Sequence, residues 1–134
     1  MTHWMITYDK KQFNIDRCLE RNGTTDWSQL RNKFQIGDVV YMYCSKPEMR
    51  ITHKMRIVRI NVSKKEHKDE SLYLSSDYID KGEPYIRLEQ LSSQNSYMLY
   101  RNELIKHGLN PYSGRSRQKI EGDLLDYIES VFNK

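Results

Sequence analysis

Two β-forming runs joined by a short connection occupy the middle of this chain and constrain its fold more than any other feature. Val39–Tyr43 is a dense run of β-branched and aromatic residues. The Ile51–Val62 segment alternates along its length and predicts a long strand with Ile51 and His53 on one face. Because the connection through Pro47 is short, we expect the two strands to be neighbours in one sheet. This pattern excludes an all-helical bundle.

The residues before these strands predict one more strand and two helices. Met5–Tyr8 is a short apolar run that is typical of a buried first strand. Asn14–Gly23 combines an N-cap residue, apolar residues at helical spacing and a terminating glycine, so it predicts a helix. Asp26–Phe34 has a similar spacing, and we expect a second short helix there, carrying Trp27.

The residues after the long strand are mainly helical in pattern. Tyr85–Leu88 alternates and predicts a strand. Tyr100–His107 predicts a helix ending at a glycine, and Asn110–Gly114 is rich in turn formers. Ile120–Phe132 places apolar residues on one face of an amphipathic helix. The element order therefore predicts an α+β fold, a mixed sheet or barrel with flanking helices.

Length and composition favour one intracellular domain without a metal or cofactor. The chain has 134 residues, which fits a single domain over its whole length. Its two cysteines and four histidines show no metal-ligand spacing. No apolar run is long enough to span a membrane, so we expect a cytoplasmic protein with no membrane partner. The net charge of +4 permits binding to a polyanion without requiring it.

The motifs of common enzyme classes are missing from the sequence. There is no glycine-rich phosphate loop, no paired cysteine and histidine signature and no metal-ligand motif. His53 lies in a strand pattern, which favours a structural role for its side chain. We therefore expect a binding module rather than an enzyme.

An ordered set of short motifs along nearly the whole chain resembles EVE domains of the PUA-like superfamily. The motifs are Thr7–Ile15, Asp26–Trp27, Leu30–Asn32, Ile36–Ser45, Tyr85–Leu88, Leu104–Leu109 and Arg115–Glu129. The last three are similar to parts of the EVE-like domains fused to HNH nucleases in modification-dependent restriction systems. Tyr8 and Asp9 stand where the family prefers asparagine and proline, beside the pocket that the resemblance implies.

The resemblance implies a PUA-like fold, a twisted and barrel-like mixed sheet with flanking helices. Relatives in that superfamily accept an extruded methylated or hydroxymethylated base between aromatic side chains. We therefore expect a nucleic-acid-binding module that reads a modified base such as 5-methylcytosine. A nuclease or another effector would then be on a separate chain, because the HNH metal motif is absent here.

Five residues are candidates for the modified-base pocket. Trp27 is the first of them, because an aromatic face restores the stacking that a base loses when it leaves a duplex. Tyr43 and Ser45 end the second strand run, and Thr7 and Tyr8 end the first. Trp27 and Tyr43 also fit an alternative role as ordinary core residues.

The candidates for contact with the nucleic-acid backbone are basic. Arg31, Lys46 and Lys54 cluster in sequence around the predicted pocket strands, and Arg115 and Arg117 lie in a predicted late loop. Several cations on one surface would neutralise phosphates and hold a strand while one base is read. DNA is favoured as the partner, and two alternatives stay open. One is RNA binding, and the other is a protein-interaction or antitoxin-like role for the last helix.

Overall fold

A six-stranded mixed sheet organises the computed structural model, which describes residues 1–67, 82–111 and 116–134. The strands are β1 (His3–Tyr8), β2 (Thr24–Ser28), β3 (Val39–Cys44), β4 (Arg50–Val62), β5 (Tyr85–Ser93) and β6 (Arg117–Ile120). Their order across the sheet is β2-β5-β4-β3-β1-β6, and β1 runs parallel to β3. The predicted α+β class is confirmed, as is the pairing of β3 with β4.

Three α-helices flank the described part of the sheet: α1 (Ile15–Asn22), α2 (Arg101–Lys106) and α3 (Gly122–Phe132). The side chain of Asn14 accepts the first-turn N–H of α1, and Gly23 ends that helix with φ 74°, as the sequence predicts. The helix α3 begins later than predicted, because Ile120 pairs with β1 as the last residue of β6. No helix in the described residues is long and apolar enough to cross a membrane.

The two faces of the sheet have separate apolar cores. The inner face carries side chains from five strands together with α1, and Trp4, Ile6 and Trp27 are among them. The outer face packs against α2 and α3 and includes Tyr41 and Tyr43. Alternation along each strand separates the two cores, because neighbouring side chains point to opposite faces.

The predicted helix around Trp27 is wrong, because residues 24–28 form the edge strand β2. Thr25 pairs with Leu88 and Trp27 pairs with Ile86, both on β5. Leu30 has φ 55°, a left-handed conformation that cannot continue a helix. Pairing with β5 thus prevails over a helical spacing of apolar residues, which is a weak local preference.

A bulge interrupts the predicted alternation of β4. Tyr43 pairs with Ile51, whereas Met42 pairs with His53, so Thr52 is an extra residue in β4. Ile51 therefore lies on the outer face, and His53 lies on the inner face with Met42. The prediction that Ile51 and His53 share a face is wrong for this reason.

The Gly37–Asp38 turn before β3 is fixed to the amino-terminal segment by side-chain hydrogen bonds. The indole Nε1 of Trp4 donates to Asp38 Oδ2 at 3.0 Å, and the same oxygen accepts the N–H of Gln35 at 3.1 Å. The ring of Trp4 packs against Phe34 with centroids 4.4 Å apart. Trp4 is thus a core residue whose polar atom is satisfied.

Candidate functional site

The two edge strands of the sheet, β2 and β6, approach each other because the sheet curls. Arg117 Nε donates to the carbonyl oxygen of Ser28 at 3.0 Å, which joins β6 to β2. The N–H of Thr7 donates to the carbonyl oxygen of Ser116 at 2.9 Å, so the end of β1 belongs to the same region. We call this region the seam, and define it by Thr7, Trp27, Ser28, Ser116 and Arg117.

Trp27 directly precedes Ser28, and its side chain points to the inner core. The indole is 8% exposed and meets the ring of Phe13 edge-on, with centroids 5.1 Å apart. Its Nε1 is buried and has no hydrogen-bond partner in the described residues. A buried donor without an acceptor costs about 1–3 kcal/mol, so native proteins retain few of them. The indole N–H of Trp27 is therefore unusual among the buried polar groups of the described residues.

The opposite face of β2 holds a buried ion network that fixes the strand. Arg87 donates from Nε and Nη2 to the two carboxylate oxygens of Asp26, at 2.8 and 3.0 Å. His67 Nδ1 lies 3.3 Å from Asp26, and its ring stacks on Tyr85. Burial alone would raise the pKa of Asp26, but hydrogen bonds from His67 and Arg87 hold it below its ordinary value. The ion network of Asp26, Arg87 and His67 therefore fixes the strand that carries Trp27.

The other predicted pocket residues lie in different places. Thr7 belongs to the seam, and Tyr8 lies on the inner face with its hydroxyl 2.9 Å from Thr52 Oγ1. Ser45 follows β3, and its N–H donates to the carbonyl oxygen of Tyr8 at 2.9 Å. Tyr43 packs in the outer core, on the opposite face from Trp27, and its hydroxyl contacts Met49. Thr7 pairs with Tyr43, so its side chain lies on the outer face, whereas Tyr8 shares the inner core with Trp27.

The predicted backbone-contact residues are also spread over the surface. Arg31 and Lys46 are exposed, whereas Lys54 lies on the outer face and donates to Glu129 of α3 at 2.8 Å. Arg117 is the first residue of β6 and not part of a loop, because it pairs with β1. Arg115 lies outside the described residues. Arg117 is therefore the predicted cation that the structure places at the seam.

A second candidate site lies at the mouth of the inner face, next to α1. It is a cavity of about 630 Å³, which we call the α1 cavity. Polar side chains from α1, β4, β5 and the residues after β5 form much of its lining, including Asp16, Thr52, His53, Ser93 and Asn95. The bulge at Thr52 brings two successive polar residues of β4 to this cavity. A volume of this size is within the range of small-ligand pockets.

A continuous hydrogen-bond chain crosses the α1 cavity. His53 Nε2 lies 2.8 Å from Asp16 Oδ1, and His53 Nδ1 lies 2.6 Å from Thr52 Oγ1. Thr52 Oγ1 is also 2.9 Å from the Tyr8 hydroxyl, whose pKa is raised by burial. An ionised carboxylate only accepts, so a neutral His53 donates to Asp16 and accepts from Thr52. Thr52 then accepts from Tyr8, and every member of the chain has a partner.

Charged groups line one side of the α1 cavity. Lys10 Nζ donates to Glu48 Oε1 at 2.7 Å, and Arg50 Nε lies 3.2 Å from Glu48 Oε2. The hydrogen bond from Lys10 and the charge of Arg50 lower the pKa of Glu48. The Glu48 carboxylate therefore lies between the cationic groups of Lys10 and Arg50. Within residues 1–67, 82–111 and 116–134, no group of His, Cys, Asp and Glu is arranged to hold a metal ion.

Sequence reasoning did not find the α1 cavity. Asp16 and His53 are far apart along the chain and meet only because α1 packs across the mouth of the sheet. Phe13, the neighbour of Trp27, was also missed as a site residue. The only sequence signal was a histidine in an alternating strand, which favours a structural role. The bulge that turns Thr52 towards the same cavity has no recognisable sequence pattern.

Comparison with solved structures identifies the fold. Human THYN1 in complex with DNA containing 5-methylcytosine is similar with a TM-score of 0.71 at 17% identity, covering 100% of this chain and 99% of that one. The DUF55 domain of human thymocyte nuclear protein 1 gives a TM-score of 0.68 at 15% identity, covering 98% and 99%. A mutant ZmASCH protein from Zymomonas mobilis gives 0.64 at 9% identity, covering 97% and 96%.

The described chain therefore has the PUA-like architecture that its motifs predict, a curled mixed sheet in the form of a half-barrel with flanking helices. No family model matches the sequence, and no curated protein matches it. At identities of 9–17%, these similarities concern the fold alone.

Proposed function

We propose that this chain binds nucleic acid and reads a modified base at the seam, with Trp27 as the main contact. The observation that carries the proposal is the buried indole N–H of Trp27 without an acceptor in the described residues. It lies beside the joined edges of a curled sheet, in a fold similar to that of a protein solved with DNA containing 5-methylcytosine. DNA is the favoured partner, and RNA is the alternative.

The indole of Trp27 offers two kinds of contact to an extruded base. Its face restores part of the stacking lost on extrusion, which is worth about 1–3 kcal/mol per base. Its N–H donates to a ring nitrogen or carbonyl oxygen of the base, which satisfies a donor that lacks an acceptor in the described residues. Tyr8 shares the inner core with Trp27 and is the predicted candidate for the opposite wall. Tyr43 would contribute only if a ligand reached the outer face.

The joined edges at the seam provide a route for the base. Arg117 connects β6 to β2 through a side-chain hydrogen bond, so separating these edges at that point does not require a backbone ladder to break. Its guanidinium can then contact a phosphate next to the extruded nucleotide. Arg31, Lys46 and Arg115 are proposed as further phosphate contacts, with Lys54 less favoured because it is paired with Glu129.

A protein-interaction role for the last helix has less support. An exposed apolar stripe on α3 would have favoured it. The structure instead buries Leu124, Ile128, Val131 and Phe132 against the outer face of the sheet. We retain a separate nuclease or other effector chain, as in modification-dependent restriction, as part of the proposal.

Binding of matched oligonucleotides tests the proposal. The probes carry cytosine, 5-methylcytosine, 5-hydroxymethylcytosine or N6-methyladenine at one position, as DNA and as RNA, at one salt concentration. We expect tighter binding to one modified probe than to its unmodified match. Trp27→Ala should weaken that binding by about 1–3 kcal/mol and affect the unmodified probe much less.

The second tryptophan provides a matched control. Trp4→Phe changes a core indole that is already hydrogen-bonded to Asp38, so it should keep the preference for the modified probe. Thermal unfolding of each variant identifies any loss of binding that results from unfolding. If folded Trp27→Ala or Trp27→Phe protein discriminates the probes as well as the parent does, the proposal for Trp27 is wrong.

A further inference from the structure

The α1 cavity is separate from the seam although the two are close. Phe13 lines the cavity and meets the Trp27 ring edge-on, so its side chain lies between the two sites. The seam is characterised by an apolar ring with one unpaired donor among the described residues. The α1 cavity contains charges of both signs and a chain of paired polar groups. Such different surroundings suit different ligand groups.

The charged side of the cavity has the chemistry of a phosphate site. Lys10 and Arg50 flank a single position, and the Glu48 carboxylate occupies it in the free protein. Arg50 is also held by a hydrogen bond from Nη1 to the carbonyl oxygen of Gln94 at 2.8 Å, which fixes its guanidinium. A phosphate that replaces Glu48 would find two cations already in place.

The other side of the cavity has the chemistry of a sugar site. Asp16 Oδ1 is oriented by His53, while the side chain of Asp16 is 72% exposed and its second oxygen is available as an acceptor. A carboxylate that is fixed in this way can accept hydrogen bonds from neighbouring hydroxyl groups. Carboxylates bind the ribose hydroxyls of dinucleotides in the same manner. The exposed side chains of Ser93 and Asn95 line the same cavity and offer further donors and acceptors.

We propose that the α1 cavity binds a ribonucleotide unit, with its phosphate at Lys10 and Arg50 in place of Glu48 and its ribose hydroxyls at Asp16. This site is distinct from the one that reads a modified base, and it does not rest on that proposal. The same chemistry is presented by a free ribonucleoside monophosphate and by a nucleotide within an RNA strand. The experiment below separates these two sources.

The test follows the imidazole of His53 by NMR in the full chain during titration with AMP and CMP. The His53 ring resonances should shift and saturate, because the ring contacts the carboxylate that holds the ribose. The 2′-deoxy monophosphates should bind about tenfold more weakly, since they lack the 2′-hydroxyl that donates a hydrogen bond to Asp16. Adenosine and cytidine should also bind more weakly, because they lack the phosphate.

Substitutions of Glu48 and Lys10 give opposite results if the assignment is correct. Glu48→Gln removes the competing carboxylate and should tighten AMP binding about two- to fivefold. Lys10→Gln should weaken it by a similar factor. Asp16→Asn keeps an oxygen that accepts from His53, and it should reduce the preference for ribose over deoxyribose. Thermal unfolding confirms that each variant is folded.

A 5′-phosphorylated RNA tetranucleotide identifies the source of the ligand. Tighter binding of the tetranucleotide than of AMP indicates a unit of a strand, and equal or weaker binding indicates a free nucleotide. The proposal is overturned if neither AMP nor CMP shifts the His53 ring in parent and Glu48→Gln protein. It is also overturned if ribose and deoxyribose forms bind equally or if Glu48→Gln weakens binding. These probes carry no modified base, so failure of modified-base recognition at the seam would be seen separately.

Discussion

The two tryptophans of this chain lie in the same inner core but differ in what surrounds their indole nitrogens. Trp4 donates to Asp38 at 3.0 Å and is 4% exposed. Trp27 is 8% exposed and its nitrogen has no partner in the described residues. Burial alone would assign both residues to the core. The satisfied donor of Trp4 stabilises the fold, whereas the unsatisfied donor of Trp27 costs stability that a ligand can restore.

The largest effect should come from the ion network behind Trp27 and not from either indole. Asp26→Ala leaves Arg87 and His67 buried without their carboxylate, which should lower the free energy of unfolding by about 3–5 kcal/mol. Denaturant unfolding measures this, with Asp126→Ala on the exposed face of α3 as the control. A loss of less than about 1 kcal/mol would show that β2 is not held by this network.

Phenylalanine substitution compares the two tryptophans directly. Trp4→Phe removes the donor from Asp38 and should cost about 1–3 kcal/mol of stability. Trp27→Phe loses no hydrogen bond within the described chain, so its cost should stay below about 1.5 kcal/mol. Chemical unfolding of both variants under one condition provides the measurement. If Trp27→Phe is the more destabilising change, then the indole N–H of Trp4 does not contribute more to stability than that of Trp27, and the comparison is wrong.

Stability measured as a function of acid pH should reveal the contribution of the Asp26 carboxylate. The pKa of Asp26 is held below its ordinary value, so its contribution is complete above about pH 4 and is lost as the pH falls further. Glu48 and Glu129 have lowered pKa values and contribute with the same sign. Stability measured between pH 7 and pH 2 should therefore decline less steeply in Asp26→Asn protein. An unchanged acid profile in that variant would contradict the direction given for Asp26.

The smallest effect concerns the salt dependence of nucleic-acid binding. If Arg117 contacts a phosphate, Arg117→Gln should reduce the slope of log K against log salt by about one unit. Adding Arg115→Gln should reduce it by about one more. Lys106→Gln, at an exposed position of α2 on the outer face, is the control and should leave the slope unchanged. An unchanged slope in the Arg117 variant would place that residue outside the interface.

Local signals predicted much of the fold. Asn14 and Gly23 marked the ends of α1, because capping is decided within one turn of helix. The short connection through Pro47 predicted the pairing of β3 with β4. Residues 26–34 were predicted as a helix, whereas residues 24–28 form a strand that depends on pairing with β5, which lies far along the chain. Strand pairing of this kind leaves little trace in a local pattern.

The candidate site was less predictable than the fold for the same reason. Trp27 was chosen by resemblance, but the unpaired state of its nitrogen depends on every residue around it. Tyr43 was chosen for its position at the end of a strand, and the face it occupies follows from the register with β4. The chain from Asp16 to Tyr8 requires α1, the bulge in β4 and the end of β1 to meet. A single sequence does not contain that information in local form.

The joined edges of the sheet also affect how molecules of this protein meet one another. An exposed strand edge offers unpaired backbone groups to a second chain, which is a common route to aggregation. Here β2 and β6 face each other across the seam, and β6 is only four residues long and carries Arg117 and Lys119. Each edge thereby shields the other from pairing with a neighbouring molecule. If the seam admits a ligand as proposed, widening it would expose both edges to pairing with another chain, so this contact limits how open the seam can become.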